Sequence, residues 1–189
     1  MIIAGCIHVF FEGYFVLNHT RMASMPDFFG QLWKEYALSD SRYMTSDTFL
    51  LVMESYTVIG WGPLCFLTVW CIASDSPYRH PIQALVSTGQ FYGNLLYYTT
   101  SLFEDIASGK RYYRPEQYYF WFYFVFMNAI WLVIPIRTCT YLCITEYDHW
   151  RRSVCMYTSI KASARAFSTS SKPEDDVGKK KAWCWACVG

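Results

Sequence analysis

The chain has 189 residues, of which 53% are hydrophobic, 20% aromatic and 16% charged. This composition excludes a chain that is disordered throughout, because disordered chains are poor in apolar residues and rich in charge. The 16 lysines and arginines nearly balance the 15 aspartates and glutamates, so the net charge is +1. A nearly neutral chain has no overall field to attract nucleic acid, and we expect no nucleic-acid partner.

Long apolar stretches alternate with short charged ones and predict an all-α integral membrane protein. A helix needs about 20 mostly apolar residues to cross the hydrocarbon core of a bilayer, where it satisfies its own backbone hydrogen bonds. We expect an antiparallel bundle of four transmembrane helices within residues 1–145. The predicted helices cover residues 1–17, 48–73, 81–102 and 117–144.

Local signals mark the ends of several of these helices. Asp47 and the two residues before it are typical N-caps, and Pro81 is favoured in a first turn. Gly62 and Pro63 interrupt the second apolar stretch and predict a kink. The first stretch starts at Met1 without a basic segment or a cleavage site, so we interpret it as a short span and not as a signal peptide.

The segments outside the spans differ from one another in composition. Residues 18–47 form a loop of mixed charge with a predicted short helix at Phe28–Tyr36, whose Trp33 and Tyr36 are expected at a membrane interface. This loop is a candidate lid. Residues 146–189 are polar and are predicted to form a disordered tail, whose basic residues favour a cytosolic C-terminus.

Two carboxylic acids, Glu12 and Glu54, lie inside predicted spans. A carboxylate costs several kcal/mol at membrane depth, so each is a candidate functional residue. His8 precedes Glu12 by four residues, which places both side chains on one helical face within hydrogen-bonding distance. An imidazole beside a buried carboxyl can give or take a proton. The alternative is that the two side chains only satisfy each other between helices.

The other predicted spans also carry polar side chains on one face. Hydrogen bonding between helices explains most of these groups as well as function does, but it explains the glutamates poorly. If the faces converge, they enclose a water-poor aromatic cavity suited to moving protons on a polycyclic lipid, with an indole available to stabilise a cation. This chemistry needs no cofactor, and no metal-ligand spacing is present. The polar pairs are Glu54 with Thr57, Gln90 with Asn94, and Asn128 with Trp131.

Several longer runs of the sequence resemble the emopamil-binding protein family, the EXPERA group of delta-8 to delta-7 sterol isomerases. The resemblance extends in order from residue 4 to residue 135, and runs of this length are far more specific than a short motif. They are GCIHVFFEGYFVL (5–17), QLWKEYALSDSRY (31–43), MESYT (53–57), WGPL (61–64), GQFYGNLLY (89–97) and YFWFYFVFMNAIWLVIP (119–135).

The resemblance implies a multi-pass endoplasmic-reticulum membrane enzyme of sterol biosynthesis, an intramolecular isomerase of the cholestenol delta-isomerase type that uses no cofactor. It implies that His8 and Glu12 deliver a proton to carbon 9 of the sterol. Glu54 would hold the carbon 8 cation and assist removal of a proton from carbon 7. Residue identity leaves open which group donates and which accepts. The residues expected to bind substrate or stabilise the cation are Thr57, Asn128, Trp131, Asn94 and Tyr43.

Two departures from the family pattern leave other functions open. The chain begins inside what is usually the family's second helix, and it reads YGN at 92–94 where the family commonly reads YGD. Asn94 therefore hints at another polycyclic terpenoid substrate. The third hypothesis is a non-catalytic sterol-binding or drug-binding membrane protein. The complete set of candidate catalytic residues argues against it. Membrane lipid is an expected partner, and a homodimer packed through Gly60 and Gly89 stays open.

Overall fold

The computed structural model describes the backbone of residues 1–170 and the side chains of residues 1–167. All regular elements in this part of the chain are helical, which confirms the all-α class. Two single-turn 3₁₀ helices, Met22–Ser24 and Ser41–Met44, lie in the loop after the first helix. The main helices are α1 (Ile2–Asn18), α2 (Phe28–Tyr36), α3 (Thr48–Ala73), α4 (Arg79–Ser108) and α5 (Tyr119–Met127 continued by Asn128–Ser170).

The four predicted apolar helices are all present, but they differ in how well they would suit a membrane. By length and hydropathy, Thr48–Ala73 and Tyr119–Phe167 could cross a bilayer. Ile2–Asn18 is apolar but shorter. Helix α4 is long enough at 30 residues but carries many polar side chains. Two candidate spans are therefore supported, and a bundle of four transmembrane helices stays a prediction.

Wider, π-helical turns replace the α-helix in parts of α1, α3 and α5. They cover Ile7–Glu12, Thr57–Trp61 and Tyr119–Met127. Pro63 accounts for the second, because proline lacks the N–H that would bond to the carbonyl four residues earlier. The sequence predicts a kink there, and the chain instead widens its helical turn. Such turns occur frequently at functional sites.

Aspartate side chains cap the N-termini of two of the helices. Asp47 accepts a hydrogen bond from the backbone nitrogen of Leu50 at 3.0 Å, as its position before α3 predicts. Asp27 does the same for Gly30 at 3.2 Å and begins α2. Its hydrogen bond from Tyr14 is the main reason that the pKa of Asp27 lies below its usual value. These caps fix the point at which the loop between α1 and α3 becomes helical.

The loop between α1 and α3 buries Trp33 in an aromatic core of the protein. Trp33 is 2% exposed, although the sequence placed it at a membrane interface. Its ring stacks on Phe11 with 4.4 Å between centroids, and its Nε1–H donates to the Phe11 carbonyl at 3.0 Å. An indole whose N–H finds a partner inside the protein has no need of the membrane surface. Phe15 and Tyr43 complete this core around Trp33.

A buried ion pair holds the same loop against α4. Arg42 is 2% exposed and Asp40 is fully buried, and Arg42 Nη2 donates to Asp40 Oδ2 at 2.6 Å. The guanidinium also lies over the rings of Tyr97 and Tyr112 and donates to Thr100 Oγ1 at 3.2 Å. Burial opposes the charge of Arg42, but its hydrogen bond to Asp40 raises its pKa above the ordinary value. The guanidinium therefore stays charged, and the ion pair fixes the segment that carries Tyr43.

The disordered tail predicted from residue 146 is not found in the described part of that region. Helix α5 continues to Ser170, and the side chains of residues 151–167 are exposed. A polar composition does not by itself prevent a helix, and residues 146–170 contain neither proline nor glycine, the two residues least favourable in a helix. Residues 1–144 form one compact unit, and the described residues from 145 onward belong to a second. Residues 171–189, the rest of the predicted tail, lie outside the described residues.

Candidate active site

A cavity of about 850 Å³ lies among α1, α2, α3, α4 and the first half of α5. This volume is within the range of roughly 300–1,000 Å³ that is typical of small-molecule sites. Phe49, Val52, Met53 and Trp61 contribute to its apolar wall. Every side chain that the sequence predicts for the site lines this one cavity. They are His8, Glu12, Tyr43, Glu54, Thr57, Asn94, Asn128 and Trp131.

His8 and Glu12 form the hydrogen bond that their spacing predicts. His8 Nδ1 and Glu12 Oε2 are 2.7 Å apart, and His8 is 3% exposed. Both residues lie in the π-helical part of α1, which turns them toward the cavity. The imidazole also faces the indole of Trp131, with 5.0 Å between ring centroids. An acid, a base and an aromatic face therefore meet at this wall.

The hydroxyl of Thr57 connects the two glutamates. Thr57 Oγ1 hydrogen-bonds to Glu12 Oε2 on α1 and lies 3.5 Å from Glu54 Oε2 on its own helix. The same hydroxyl donates to the backbone carbonyl of Glu54 at 2.7 Å. Glu54 is 7% exposed, so water solvates its carboxyl group poorly. Two acids from separate helices thus approach each other through one hydroxyl in an apolar environment.

Tyr43 orients the second oxygen of Glu54. Its hydroxyl donates to Glu54 Oε1 at 2.7 Å, and Tyr43 is 3% exposed. Burial, followed by the charge of Glu54, raises the pKa of Tyr43 well above its usual value. Tyr43 therefore stays protonated and acts as a permanent donor. The Arg42 ion pair one residue earlier holds it in place.

The asparagines fasten α4 to α5 beside the cavity. Asn94 Nδ2 donates to the carbonyl of Asn128 at 2.8 Å, and Asn128 Nδ2 donates to the carbonyl of Phe124 at 2.9 Å. Asn128 follows the π-helical segment directly, where helical carbonyls lack regular partners. Tyr36 from α2 donates to Asn128 Oδ1 at 3.2 Å. The network sets the position of Trp131, one turn further along α5.

Gln90 is a site residue whose role the sequence does not reveal. Its spacing to Asn94 indicates a polar face, for which bonding between helices is a sufficient explanation. In the structure, Gln90 Nε2 lies 3.0 Å from His8 Nε2 and 3.5 Å from Cys65 Sγ. Gln90 therefore touches the histidine on the side opposite to Glu12. The polar face on α4 was the only available signal, and it carries no information on which helix would meet it.

Gly89 permits the close approach of the indole of Trp61. A β-carbon at Gly89 would collide with that ring, whereas one at Gly60 would meet no atom within 4 Å. The expectation that both glycines pack a homodimer is thus modified, because Gly89 already contacts Trp61 of its own chain. The homodimer itself stays a prediction.

We expect Gly89→Ala to push the Trp61 ring into the cavity. Overpacking of this kind costs about 1–3 kcal/mol, so the melting temperature should fall by several degrees and binding of a polycyclic ligand should weaken. Thermal unfolding and ligand titration in detergent measure the two effects. Gly60→Ala is the matched control and should lower neither the melting temperature nor the affinity for the ligand. Equal behaviour of the two variants would contradict the packing described here.

Comparison with known proteins identifies the family of this chain. The EXPERA (EXPanded EBP superfamily) family matches residues 28–158, which is more than half of the chain. The chain belongs to this family. The resemblance found in the sequence is thereby confirmed. Glu54, Thr57, Asn94, Asn128 and Trp131 lie within the matched EXPERA region, and His8 and Glu12 precede it.

Curated relatives are between 31% and 46% identical to this EXPERA chain over the aligned residues. A "3-beta-hydroxysteroid-Delta(8),Delta(7)-isomerase" of Mus musculus is 45% identical over 129 residues, which is 68% of this chain and 55% of the relative. The protein of the same name in Rattus norvegicus is 46% identical, with the same coverage. "Protoglabretal synthase MOI1" of Citrus sinensis is 36% identical over 73% of this chain and 64% of the relative.

Coverage and hydropathy add two further facts. The chain spans a little over half the length of the steroid isomerases that it matches, at 55% of the mouse and rat proteins. Its two helices with the length and hydropathy of membrane spans, together with its EXPERA membership, indicate a membrane protein.

Proposed function

We propose that this protein is a membrane enzyme that shifts a sterol double bond from delta-8 to delta-7 without a cofactor. The observation that carries the proposal is the meeting of His8, Glu12 and Glu54, joined through Thr57, in one apolar cavity. The names of the mouse and rat relatives, at 45% and 46% identity, support the same reaction. The cavity volume of about 850 Å³ accommodates a fused-ring lipid.

The reaction balances as one proton added and one removed. Protonation of carbon 9 breaks the C8=C9 double bond and leaves a positive charge on carbon 8. Loss of a proton from carbon 7 then forms the C7=C8 bond, so the composition of the sterol is unchanged. The site must supply an acid, a base and a group that stabilises the cation. No electrons are gained or lost.

The pair of glutamates can supply both the acid and the base. Two carboxylates that face one hydroxyl in an apolar cavity would repel each other strongly, so we infer that they hold one proton between them. Thr57 has a single hydroxyl hydrogen, which its bond to the Glu54 carbonyl can occupy. Its contact with Glu12 is then made by a proton on the Glu12 carboxyl. Glu12 with His8 delivers the proton, and Glu54 holds the cation and assists deprotonation.

Trp131 and the apolar wall would protect the cation. An indole face near a desolvated cation contributes about 2 kcal/mol of stabilisation. Trp131 lines the cavity beside His8, with 5.0 Å between the two rings. The aromatic wall excludes water, which would otherwise trap the carbon 8 cation as an alcohol. Tyr43 would keep Glu54 oriented throughout the reaction.

The polar face of α4 is compatible with a fourth membrane span. We infer that α1, α3, α4 and the first half of α5 cross the endoplasmic-reticulum membrane, so that sterol and membrane lipid share access to the cavity. The buried side chains of α4 are mostly polar and include Gln90 and Asn94. A helix whose polar residues face the protein interior scores poorly for hydropathy while its outer surface still suits lipid.

Deuterium incorporation tests the reaction. Microsomes that contain the chain are supplied with a delta-8 sterol in deuterated water, and the product is analysed by mass spectrometry and NMR. We expect a delta-7 sterol labelled at carbon 9, because the added proton comes from an exchangeable acid. Microsomes without the chain are the control. Binding without a product would contradict the enzyme assignment and favour a sterol-binding or drug-binding protein.

A second candidate keeps the chemistry and changes the substrate to another polycyclic terpenoid. Two relatives favour it: the protoglabretal synthase of Citrus sinensis, at 36% identity, and "Isomeliandiol synthase MOI2" of Melia azedarach, at 34% identity over 70% of this chain. Asn94 lines the cavity as a neutral amide. Turnover of a terpenoid of this kind, with no turnover of a delta-8 sterol, would decide for this candidate.

A further inference from the structure

Gln90 contacts the ring nitrogen of His8 that does not bond to Glu12. Its Nε2 lies 3.0 Å from His8 Nε2, and both residues are buried, at 8% and 3% exposure. The amide nitrogen carries two hydrogens and no acceptor site. The second hydrogen is directed to Cys65 Sγ at 3.5 Å, on a cysteine that is fully buried. Gln90 thus has a partner for each of its amide hydrogens.

This geometry restricts the protonation of the imidazole. When an amide N–H donates to His8 Nε2, that ring nitrogen must be unprotonated, and a neutral ring then carries its hydrogen on Nδ1. Nδ1 is the atom that lies 2.7 Å from Glu12 Oε2. The single ring hydrogen is therefore committed to Glu12. The reverse amide orientation would present an oxygen and favour a ring protonated at Nε2.

We propose that Gln90 is a positioning residue that selects the Nδ1–H tautomer of His8 and so makes Glu12, not the imidazole, the carrier of the transferred proton. The mechanistic half of this statement rests on the proposed isomerase function. A neutral His8 has no spare proton to give, so it orients the Glu12 carboxyl by donating to it. Of the titratable groups near the ring, Glu12 on α1 bonds to it directly, Cys65 on α3 contacts Gln90, and Glu54 on α3 lines the same cavity.

Nitrogen NMR of the full chain tests the tautomer without any substrate. The protein is labelled with ¹⁵N-histidine in lipid nanodiscs, and the His8 signals are assigned by their loss in His8→Ala. We expect protonated Nδ1 and unprotonated Nε2 in the unchanged protein. A ring with the hydrogen on Nε2, or one protonated on both nitrogens at neutral pH, would overturn the proposal. This readout is independent of whether the protein turns over a sterol.

Substitution of Gln90 separates positioning from structural support. In Gln90→Leu we expect both tautomers of His8 and a kcat about tenfold lower, with KM changed less than threefold, which is the weight of one buried neutral hydrogen bond. Gln90→Glu should convert His8 to the doubly protonated ring, because a carboxylate accepts from Nε2–H. Gln83→Leu makes the same change on α4 away from the cavity and should alter neither readout. An unchanged tautomer in both Gln90 variants would overturn the proposal.

Discussion

Glu12→Gln and Glu54→Gln are each expected to lower the rate of double-bond migration at least a hundredfold while leaving the protein folded. Glutamine has nearly the same shape as glutamate. Its amide N–H can donate to Thr57 in place of the Glu12 carboxyl, and its oxygen can accept from Tyr43 in place of Glu54. It cannot exchange a proton, and general acid–base catalysis contributes about 10²–10⁴-fold. Initial rates measured with a delta-8 sterol, at saturating and at low concentration, give the loss in kcat and in kcat/KM.

The control for both variants is Glu35→Gln, the same substitution on the exposed surface of α2. It should retain full activity. Thermal unfolding of each variant verifies that loss of turnover is not loss of structure. If Glu12→Gln or Glu54→Gln keeps more than a tenth of the activity, that carboxyl takes no part in proton transfer, and the mechanism proposed for the pair is wrong.

Arg42→Met is expected to destabilise the protein by about 3–5 kcal/mol, because it leaves the Asp40 carboxylate buried without its partner. Asp40 is fully buried, and it accepts hydrogen bonds from Arg42 Nε at 3.0 Å and from Arg42 Nη2 at 2.6 Å. The variant also removes the contact of the guanidinium with the Tyr97 ring. The drop in melting temperature in detergent measures the effect. Activity should fall as well, because Tyr43 loses its fixed position beside Glu54.

Two further variants separate charge from packing in this result. Arg114→Met breaks an exposed ion pair in which the Arg114 side chain is 51% and the Glu116 side chain 46% accessible, and it should cost far less stability than Arg42→Met. Asp40→Asn combined with Arg42→Met removes both buried charges while keeping an oxygen that can cap the next turn. It should be more stable than Arg42→Met alone. A double variant that is less stable would show that packing, and not the unpaired charge, dominates.

Contacts between residues close in the sequence could be predicted, whereas contacts between distant residues could not. The bond between His8 and Glu12 spans four residues and follows from helical spacing. The stacking of Trp33 on Phe11 spans 22 residues, and the sequence misplaced this indole at a membrane interface. Aromatic type alone indicates a residue that is partly apolar and partly polar. Whether its polar end meets lipid headgroups or a carbonyl depends on what packs against it.

The π-helical turns illustrate the same limit. Pro63 makes a disturbance of α3 predictable, but its form as a wider turn at Thr57–Trp61 is not. No proline lies within two residues of the π-helical turns in α1 and α5, so the sequence gives no sign of them. Each places a polar residue of the cavity at or beside its boundary. Their existence depends on contacts that favour an unusual hydrogen-bond pattern over the regular one, and those contacts come from other helices.

Residue identity and local spacing alone determine that this chain is helical, belongs to the EXPERA family and carries paired ionisable groups within apolar helices. The fold decided which of those groups meet. Thr57 reaches Glu12 across 45 residues and Gln90 reaches His8 across 82, and a repeat of 3.6 residues specifies which face of a helix is polar but not its partner. Packing of the helices makes that choice, because the observed arrangement buries the aromatic side chains and brings the polar ones together.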